Sequence, residues 1–302
     1  MRATVERKSL KVKTNTMMTE CYRCSDRIDA NAMKRYAFAV LLFLMCLIAQ
    51  AQTDSIPLGR TVVRATQYGI GYTNTLDTYL SPAEYTGMQA RVLRESVRPV
   101  SLWNIPVDRQ CLFQVYGALL DNRAGNGQEL SGHANWNLAF LKPWLQRQSF
   151  SLAAGPMAEA NLGMTYNVRN SNNPVQVQAY GSIGMAGMAT YAGHWGGRKF
   201  TARYFVHVPL AGVMFSPEYG ESYYEMSLSH DWGKNVGFAS LHNRPSVRQF
   251  LSIDVPMHRY TLRATYECDL QQARMHHLKN HQWSHVLMLG FVKCFQILPY
   301  QP

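Results

Sequence analysis

The sequence predicts an all-β protein, a transmembrane antiparallel β-barrel of about 12 strands. Polar and apolar residues alternate with a period of two across most of the chain, and an apolar run near residue 40 marks the chain for export. The composition agrees, because 47% hydrophobic and 16% charged residues, with a mean hydropathy of −0.22, are too polar for a bundle of membrane helices.

The export signal occupies residues 33–51. Lys34 and Arg35 precede an apolar run over 36–48, and small residues follow at Ala49 and Ala51. A run of 13 residues is shorter than the roughly 20 that a membrane-spanning helix needs, so a cleaved signal peptide is favoured over an anchor. We therefore expect export to the outer membrane of a Gram-negative cell.

Residues 1–32 are polar, basic and without periodicity, so we expect a spurious or disordered leader, with Met33 as the start. The single C-x-x-C at Cys21 and Cys24 has no second pair, so chance explains it better than zinc or redox chemistry. The remainder, 52–302, is predicted to be one outer-membrane barrel domain.

Charge and cysteine content after residue 51 exclude several functions. Only 21 Lys and Arg stand against 15 Asp and Glu there, and no basic stripe with interleaved aromatics remains, so nucleic acid is not an expected partner. Three scattered cysteines, Cys111, Cys268 and Cys294, form no disulfide framework. We expect no cofactor and no metal; the expected partners are outer-membrane lipid and the barrel-assembly machinery, and a small-molecule ligand is unknown.

Alternation is clearest over residues 260–270. The even positions are Tyr260, Leu262, Ala264, Tyr266, Cys268 and Leu270, and the odd positions are Thr261, Arg263, Thr265, Glu267 and Asp269. A strand with one face in lipid and one in a polar lumen requires this pattern. Runs of 15 or more residues exceed the usual soluble strand of about 5 or 6, which favours the membrane barrel over a soluble sandwich.

Turn-forming segments such as 122–127, 170–174 and 193–197 separate the alternating runs. The expected strands lie near 60–76, 84–99, 109–122, 129–144, 148–166, 174–192, 198–216, 221–232, 234–241, 246–256, 258–277 and 283–297. An even number suits a single-chain barrel with both termini on the periplasmic side.

The lumen of such a barrel is narrow enough to be filled by long side chains. Expected inward polar residues are Glu159, Arg203, His207, Glu225, Asp254, Arg263, Glu267 and Asp269. Because the charges are of both signs, a polar network that closes the lumen is favoured over a conducting pore, which stays open as an alternative.

Several local motifs carry a family resemblance. They are Phe215-Ser216-Pro217-Glu218-Tyr219-Gly220-Glu221-Ser222-Tyr223-Tyr224-Glu225, Ser240-Leu241-His242-Asn243-Arg244, Tyr79-Leu80-Ser81-Pro82 and Tyr85-x-Gly87. Together they resemble an uncharacterised family of outer-membrane barrels from gut-dwelling Gram-negative bacteria, a domain of unknown function. The resemblance implies a barrel in the outer membrane without assigned catalysis, in an envelope structural or small-solute role.

An outer-membrane esterase or phospholipase is the alternative function. Ser240, His242 and Asn243 supply the residue types of a nucleophile, a base and an orienting group, and residues two apart on a strand share a face. The order differs from the His-x-Ser followed by Asn of the outer-membrane phospholipase. Because Ala239 and Leu241 are predicted to face lipid, we expect Ser240 and His242 to point inward or lie in a loop, away from a lipid substrate.

His276, His277, His281 and His285 form the one histidine cluster, which is interpreted as a solvated outer loop, since no carboxylates or cysteines accompany it. Tyr219, Tyr223, Tyr224, Trp232 and Trp283 are expected to be interface aromatics, with a glycan platform as the alternative.

Overall fold

The computed structural model describes residues 61–296 except 172, 219, 230, 231 and 259. The leader at 1–32 and the signal peptide at 33–51 lie outside the described residues. The strands are β1 (Thr61–Asp77), β2 (Tyr85–Leu102), β3 (Ile105–Asn122), β4 (Gln128–Gln146), β5 (Phe150–Asn167), β6 (Val175–Trp195), β7 (Arg198–Phe215), β8 (Val236–Ser240), β9 (Val247–Pro256), β10 (Thr261–Met275) and β11 (Leu278–Gln296). A short helix, α1 (Tyr223–Ser229), and a 3-10 turn (Trp232–Asn235) lie between β7 and β8. None of the helices in these described ranges has the length and apolarity to cross a bilayer.

The sheet closes on itself as an antiparallel barrel. Each strand from β1 to β7 pairs with the next, β7 pairs with β9, and β9, β10 and β11 follow in order. The first and last strands pair along the whole of β1, with Thr61 opposite Gln296 and Asp77 opposite Asn280. Ten strands make this ring and β8 is additional to it. Closure pairs the backbone groups that an open edge would leave without hydrogen bonds.

The predicted number of about twelve strands is therefore too high, for two reasons. Residues 221–232 do not form a strand but hold helix α1. The predicted strands at 234–241 and 246–256 exist as β8 and β9, but they run in the same direction along one edge of β7. They fill one position in the barrel wall instead of two.

The two ends of the barrel differ in the length of their connections. At the end where β1 begins, here the terminal end, the connections span only 103–104, 147–149, 196–197 and 257–260. The opposite loop end carries longer connections, including 78–84, 168–174 and 216–235. The connection between β10 and β11 is the exception at the loop end, because it has only two residues, His276 and His277. Both have positive φ, the left-handed backbone that a two-residue hairpin turn needs.

The outer and inner faces of the wall separate by chemistry. On β10, Tyr266 is 39% exposed whereas the neighbouring Glu267 is fully buried. Large apolar side chains cover the outside on every side, among them Ile70, Val92, Phe113, Leu162, Ile183, Val213, Phe238, Ile253 and Leu287. This arrangement inverts that of a soluble barrel, because charge lies inside and apolar surface outside.

The strand position opposite β7 is interrupted between β8 and β9. Ala211 of β7 lies opposite Ser240, and His207 of β7 lies opposite Arg248. The chain thus advances eight residues from Ser240 to Arg248, whereas β7 spans only four. Four extra residues are thus folded into a turn over 241–246. Its first step is helical, since the backbone nitrogen of Arg244 donates to the carbonyl of Ser240 over 2.7 Å.

Gly163 on β5 gives room for an inward-facing ring on the neighbouring strand. It pairs with His133, and a Cβ added at Gly163 would lie 2.0 Å from His133 Nδ1. The imidazole stacks on Tyr116 with 4.9 Å between ring centroids. The absent side chain therefore sets the packing of this layer of the lumen.

We expect Gly163→Ala to destabilise the refolded barrel by about 1–3 kcal/mol, because the added methyl group must displace the buried His133 ring. Urea unfolding followed by tryptophan fluorescence measures this. Gly132→Ala on the adjacent strand is the matched control, since a Cβ there meets nothing within 4 Å. Equal stability of the two variants would contradict the packing argument.

Candidate functional site in the barrel lumen

In the lumen, ten charged side chains, five of each sign, are joined in ion pairs. The cations are Arg91, Arg203, Arg244, Arg248 and Arg263, and the anions are Glu95, Glu159, Asp254, Glu267 and Asp269. All come from inward positions of the strands except Arg244, which the interrupted segment supplies. A buried charge without a partner costs several kcal/mol, so this balance is a condition of folding.

Four of these residues form a group toward the terminal end, here the terminal cluster: Glu95, Arg203, Asp254 and Arg263. Arg263 contacts Glu95 and binds both carboxylate oxygens of Asp254, its Nη2 lying 2.6 Å from Oδ2. Arg203 Nη2 donates to Glu95 Oε2 over 2.8 Å. The group is neutral, with two charges of each sign.

The other six form the central cluster: Arg91, Glu159, Arg244, Arg248, Glu267 and Asp269. Arg91 contacts Glu267, and Arg248 lies 3.0 Å from Asp269 and 3.8 Å from Glu159. This cluster is neutral as well, with three charges of each sign.

Arg244 completes the central cluster from the turn over 241–246. Its guanidinium lies 3.2 Å from Glu159, donates to Ser182 Oγ over 2.8 Å, and stacks 3.6 Å from the centre of the Tyr180 ring. The side chain is 4% exposed. The interruption of the wall thus introduces a cation that a regular strand would not place there.

An apolar layer lies within the lumen among these charges. Its side chains are Leu93, Leu112, Ala139, Leu141, Met157, Ala186, Phe205, Phe250, Val286 and Met288. On β7, Phe205 lies between inward-facing Arg203 and His207, and on β9 Phe250 lies two residues from Arg248. The sequence of β7 already shows Phe205 among polar neighbours. The layer as a whole draws its side chains from eight strands, which come together only in the closed barrel.

Two cavities in the described part of the lumen are small. One borders the apolar layer at Leu93, Phe205 and Phe250, and another lies under Tyr116 and Arg244 toward the loop end. Each has room for about one water molecule. The described side chains therefore fill the barrel.

The sequence-predicted lumen residues fall into three groups. Glu159, Arg203, Asp254, Arg263, Glu267 and Asp269 lie in the two clusters. His207 is 1% exposed and packs edge-on against Phe205, 4.2 Å between centroids, without joining either cluster. The prediction that Glu225 lies in the lumen is wrong, because Glu225 belongs to helix α1 outside the barrel wall.

Glu225 instead ends a capping box. Its carboxylate accepts from the backbone nitrogen of Ser222 over 2.8 Å, and Ser222 Oγ accepts from the Glu225 nitrogen over 3.2 Å. These reciprocal bonds satisfy the first free N–H groups of α1 and hold the pKa of Glu225 below its usual value. The spacing Ser-x-x-Glu is present in the sequence and would have predicted a helix start at this point.

Four cluster residues that the sequence analysis did not identify as lumen residues are Glu95, Arg91, Arg244 and Arg248. Arg248 shares the parity of Ser252 and Asp254 on β9, and Arg91 and Glu95 share the parity of buried Leu93 on β2. Extending the alternation along those strands would have identified these three. Arg244 carries no such signal, since its orientation comes from the irregular turn.

The loop 216–235, here the cap, is fastened over the loop end of the barrel. Tyr223 Oη accepts from the Val177 nitrogen and donates to Gln176 Oε1, both over 2.8 Å. Burial raises the pKa of Tyr223, so its hydroxyl stays protonated as a donor. Tyr79 donates to the Glu221 carbonyl over 2.9 Å from a second loop. The cap is therefore tied to two parts of the rim.

The Ser240, His242 and Asn243 triplet lies at the interrupted segment. Ser240 Oγ and His242 Nδ1 are within hydrogen-bond distance, and His242 is exposed. The inward placement predicted for the pair is wrong, because Ala239 is buried at 2% exposure and Phe238 faces outward at 63%, whereas His242 lies in the turn, the other expected placement. The pair therefore lies at the outer surface, since the alternation shifts by one residue from the predicted phase.

Asn243 is occupied by the turn itself. Its Oδ1 accepts from the Ser240 nitrogen and its Nδ2 donates to the Phe238 carbonyl, both over 2.8 Å. Both polar atoms of the amide thus bond the backbone of the turn, so the triplet forms a stabilised turn that contains a Ser–His contact.

The histidine cluster is spread along a hairpin rather than gathered in a loop. His276 Nδ1 lies 2.7 Å from the Ser216 carbonyl, His281 stacks on Trp283, and His285 contacts the Tyr266 hydroxyl over 2.7 Å. Within the described ranges, no three His, Cys, Asp or Glu side chains are arranged to hold a metal ion. The described cysteines, Cys111, Cys268 and Cys294, are free thiols.

Three solved structures are similar to this arrangement of strands. The transport unit of the Escherichia coli autotransporter AIDA-I has 4% identity and a TM-score of 0.45, covering 85% of this chain and 97% of that one. The outer membrane protease OmpT from Escherichia coli has 4% identity and a TM-score of 0.42, covering 82% and 100%. The translocator domain of NalP from Neisseria meningitidis has 9% identity and a TM-score of 0.35, covering 86% and 97%.

No curated protein matches the chain in sequence. A family model described as a protein of unknown function, DUF3316, matches residues 38–302 and so covers the entire barrel. The chain belongs to the DUF3316 family.

Proposed function

We propose that the protein is an outer-membrane β-barrel with a sealed lumen that serves the cell envelope as a structural element rather than as a pore. The observation that carries the proposal is the filled lumen, in which an apolar layer lies among two neutral ion clusters. The signal peptide predicted at 33–51 supplies the route of export. Outer-membrane lipid and the barrel-assembly machinery are the partners that such a location requires.

The outer surface supports the membrane location. Side chains such as Ile70, Leu119 and Leu289 are each more than 60% exposed on the wall, whereas soluble proteins rarely expose contiguous apolar patches above a few hundred Å². Short turns at the terminal end and longer connections at the loop end match a periplasmic and an extracellular side, respectively.

The filled lumen supports the sealed state. An ion on its way through would have to leave water, pass between paired charges and cross a layer that contains Phe205 and Phe250, whose ring centroids are 6.0 Å apart. Hydrophobic constrictions exclude ions because a dry segment offers no solvation. The cap adds a second barrier at the extracellular mouth.

The wild-type protein is expected to give no single-channel current in planar bilayers, because the apolar layer excludes hydrated ions. The double variant Phe205→Ala and Phe250→Ala is expected to admit water and to give small current steps. Phe113→Ala with Phe291→Ala, two rings at 45% and 55% exposure on the outer wall, is the matched control and should stay silent.

Heat-modifiable mobility on gels shows that each variant is folded before its current is measured. Steady wild-type conductance would contradict the sealed lumen and favour small-solute passage.

The Tyr223→Phe variant is expected to loosen the cap, because it leaves the Gln176 side chain and the Val177 nitrogen without their hydroxyl partner. Limited proteolysis of intact cells or of refolded protein should cleave within 216–235 severalfold faster than in the wild type. Tyr224→Phe, whose side chain is 73% exposed, is the control and should leave the rate unchanged. Equal rates in both variants would show that the hydroxyl does not hold the cap.

An esterase is the second candidate, favoured by the contact between Ser240 Oγ and His242 Nδ1 at the outer surface. A hydroxyl beside an imidazole can be activated as a nucleophile. The Asn243 amide bonds the backbone of its own turn rather than His242 in the described structure. The contact therefore supports the turn more directly than it supports catalysis.

The wild-type protein is expected to release no fatty acid from detergent-dispersed phospholipid with calcium above the rate without protein. Ser240→Ala and His242→Gln should not differ from it. Hydrolysis by the wild type that Ser240→Ala abolishes, with heat-modifiable mobility retained, would establish the esterase and overturn the structural role.

A further inference from the structure

We propose that the periplasmic part of the barrel wall carries a binding site for anionic phospholipid headgroups, centred on Arg64, Arg94 and Lys293. This inference rests on the proposed function, since it requires the wall to be embedded in a membrane. It adds a ligand class, the phosphodiester of an anionic lipid, and a place for it on three adjacent strands.

Strand register brings the three cations together. Arg64 of β1 lies directly opposite Lys293 of β11. On the other side of β1, Arg94 lies opposite Thr66, diagonal to Arg64. Directly opposed residues have Cβ atoms about 5 Å apart and diagonal ones about 7–8 Å apart, so the three cationic side chains can converge on one phosphate.

The three residues point outward and lie just beyond the apolar belt. Each is two or four residues from an outward-facing apolar side chain on its own strand: Tyr68 for Arg64, Val92 for Arg94 and Phe291 for Lys293. Two residues of a strand span about 7 Å, which is the step from the hydrocarbon to the headgroup layer. All three cations are exposed.

No Asp or Glu side chain points outward on the described terminal halves of β1, β2, β3 and β11. Glu95 on β2 and Asp108 on β3 have the opposite parity and point inward. Arg94 and Lys293 form no ion pair with a described residue.

The basic face continues on the neighbouring strands. Arg98 of β2 lies directly opposite Arg109 of β3, and the Nε atoms of both are buried without a hydrogen-bond partner. Lys142 follows on the outward face of β4. Two like-charged pairs in one sector of the wall favour a specific ligand over scattered surface charge.

Native mass spectrometry of the refolded full chain tests the inference, with phosphatidylglycerol and phosphatidylcholine of matched acyl chains added in equal amounts. Each cation near an anionic headgroup contributes about fivefold in affinity. The wild type is therefore expected to retain phosphatidylglycerol at least about tenfold over phosphatidylcholine. The variant Arg64→Gln, Arg94→Gln and Lys293→Gln should retain the two lipids about equally.

The matched control is Arg147→Gln, Arg198→Gln and Lys199→Gln, which removes three exposed charges from the same end but from other strands and turns. It should keep the wild-type preference. Equal retention of both lipids by the wild type, or equal loss in both triple variants, would overturn the site.

Heat-modifiable mobility and membrane fractionation of the wild type separate this result from the proposed function. A folded membrane barrel without lipid preference contradicts only the binding site, whereas a wild-type chain recovered fully soluble contradicts the membrane location itself.

Discussion

The pairing of charges inside the lumen is the interaction on which the barrel depends. Removing one member of a buried ion pair costs about 3–5 kcal/mol, because its partner stays buried without compensation. Each cluster avoids this cost because it is neutral. The terminal cluster has two charges of each sign, and the central cluster has three. Because each cluster is neutral by itself, neither needs a counter-charge on the other side of the apolar layer. The field of an unpaired charge would be poorly screened in that layer.

The interrupted wall position follows from the same requirement. Arg91 and Arg248 alone leave the central cluster with two cations for Glu159, Glu267 and Asp269. Arg244 makes the third, and it reaches Glu159 because four extra residues turn the chain inward between β8 and β9. The departure from a regular strand is thus tied to charge balance, and the Asn243 amide that orders the turn serves the same end.

Sequence patterns predicted much of this fold because one force dominates it. A wall between lipid and a polar interior imposes a period of two, and that period located nearly all strands to within a few residues. It also identified Arg203, Arg263, Glu267 and Asp269 as inward residues, which the structure places in the clusters.

The pattern was insufficient wherever local geometry departs from the strand. Helix α1 is short, and its signal in the sequence was the capping pair Ser222 and Glu225 rather than a hydrophobic period. The alternation of inward and outward residues shifts by one residue at Ala239, beside an irregular turn. Arg244 lies in that turn, so the alternation does not predict where its side chain points. The contacts among β2, β7 and β9 in the apolar layer form only when the sheet closes into a barrel. The pattern of a single strand cannot predict them.

The proposed sealed barrel would act through its wall and its two rims. The charges of the two clusters are paired among themselves, so they exert little field outside, and a ligand cannot reach them without breaking the pairs. The outer wall differs, since Arg94 and Lys293 point outward and form no ion pair with a described residue. Charge in the two clusters stabilises the barrel, whereas these outward cations are available to the proposed lipid ligand, so the proposed interactions lie at the membrane surface rather than in the lumen.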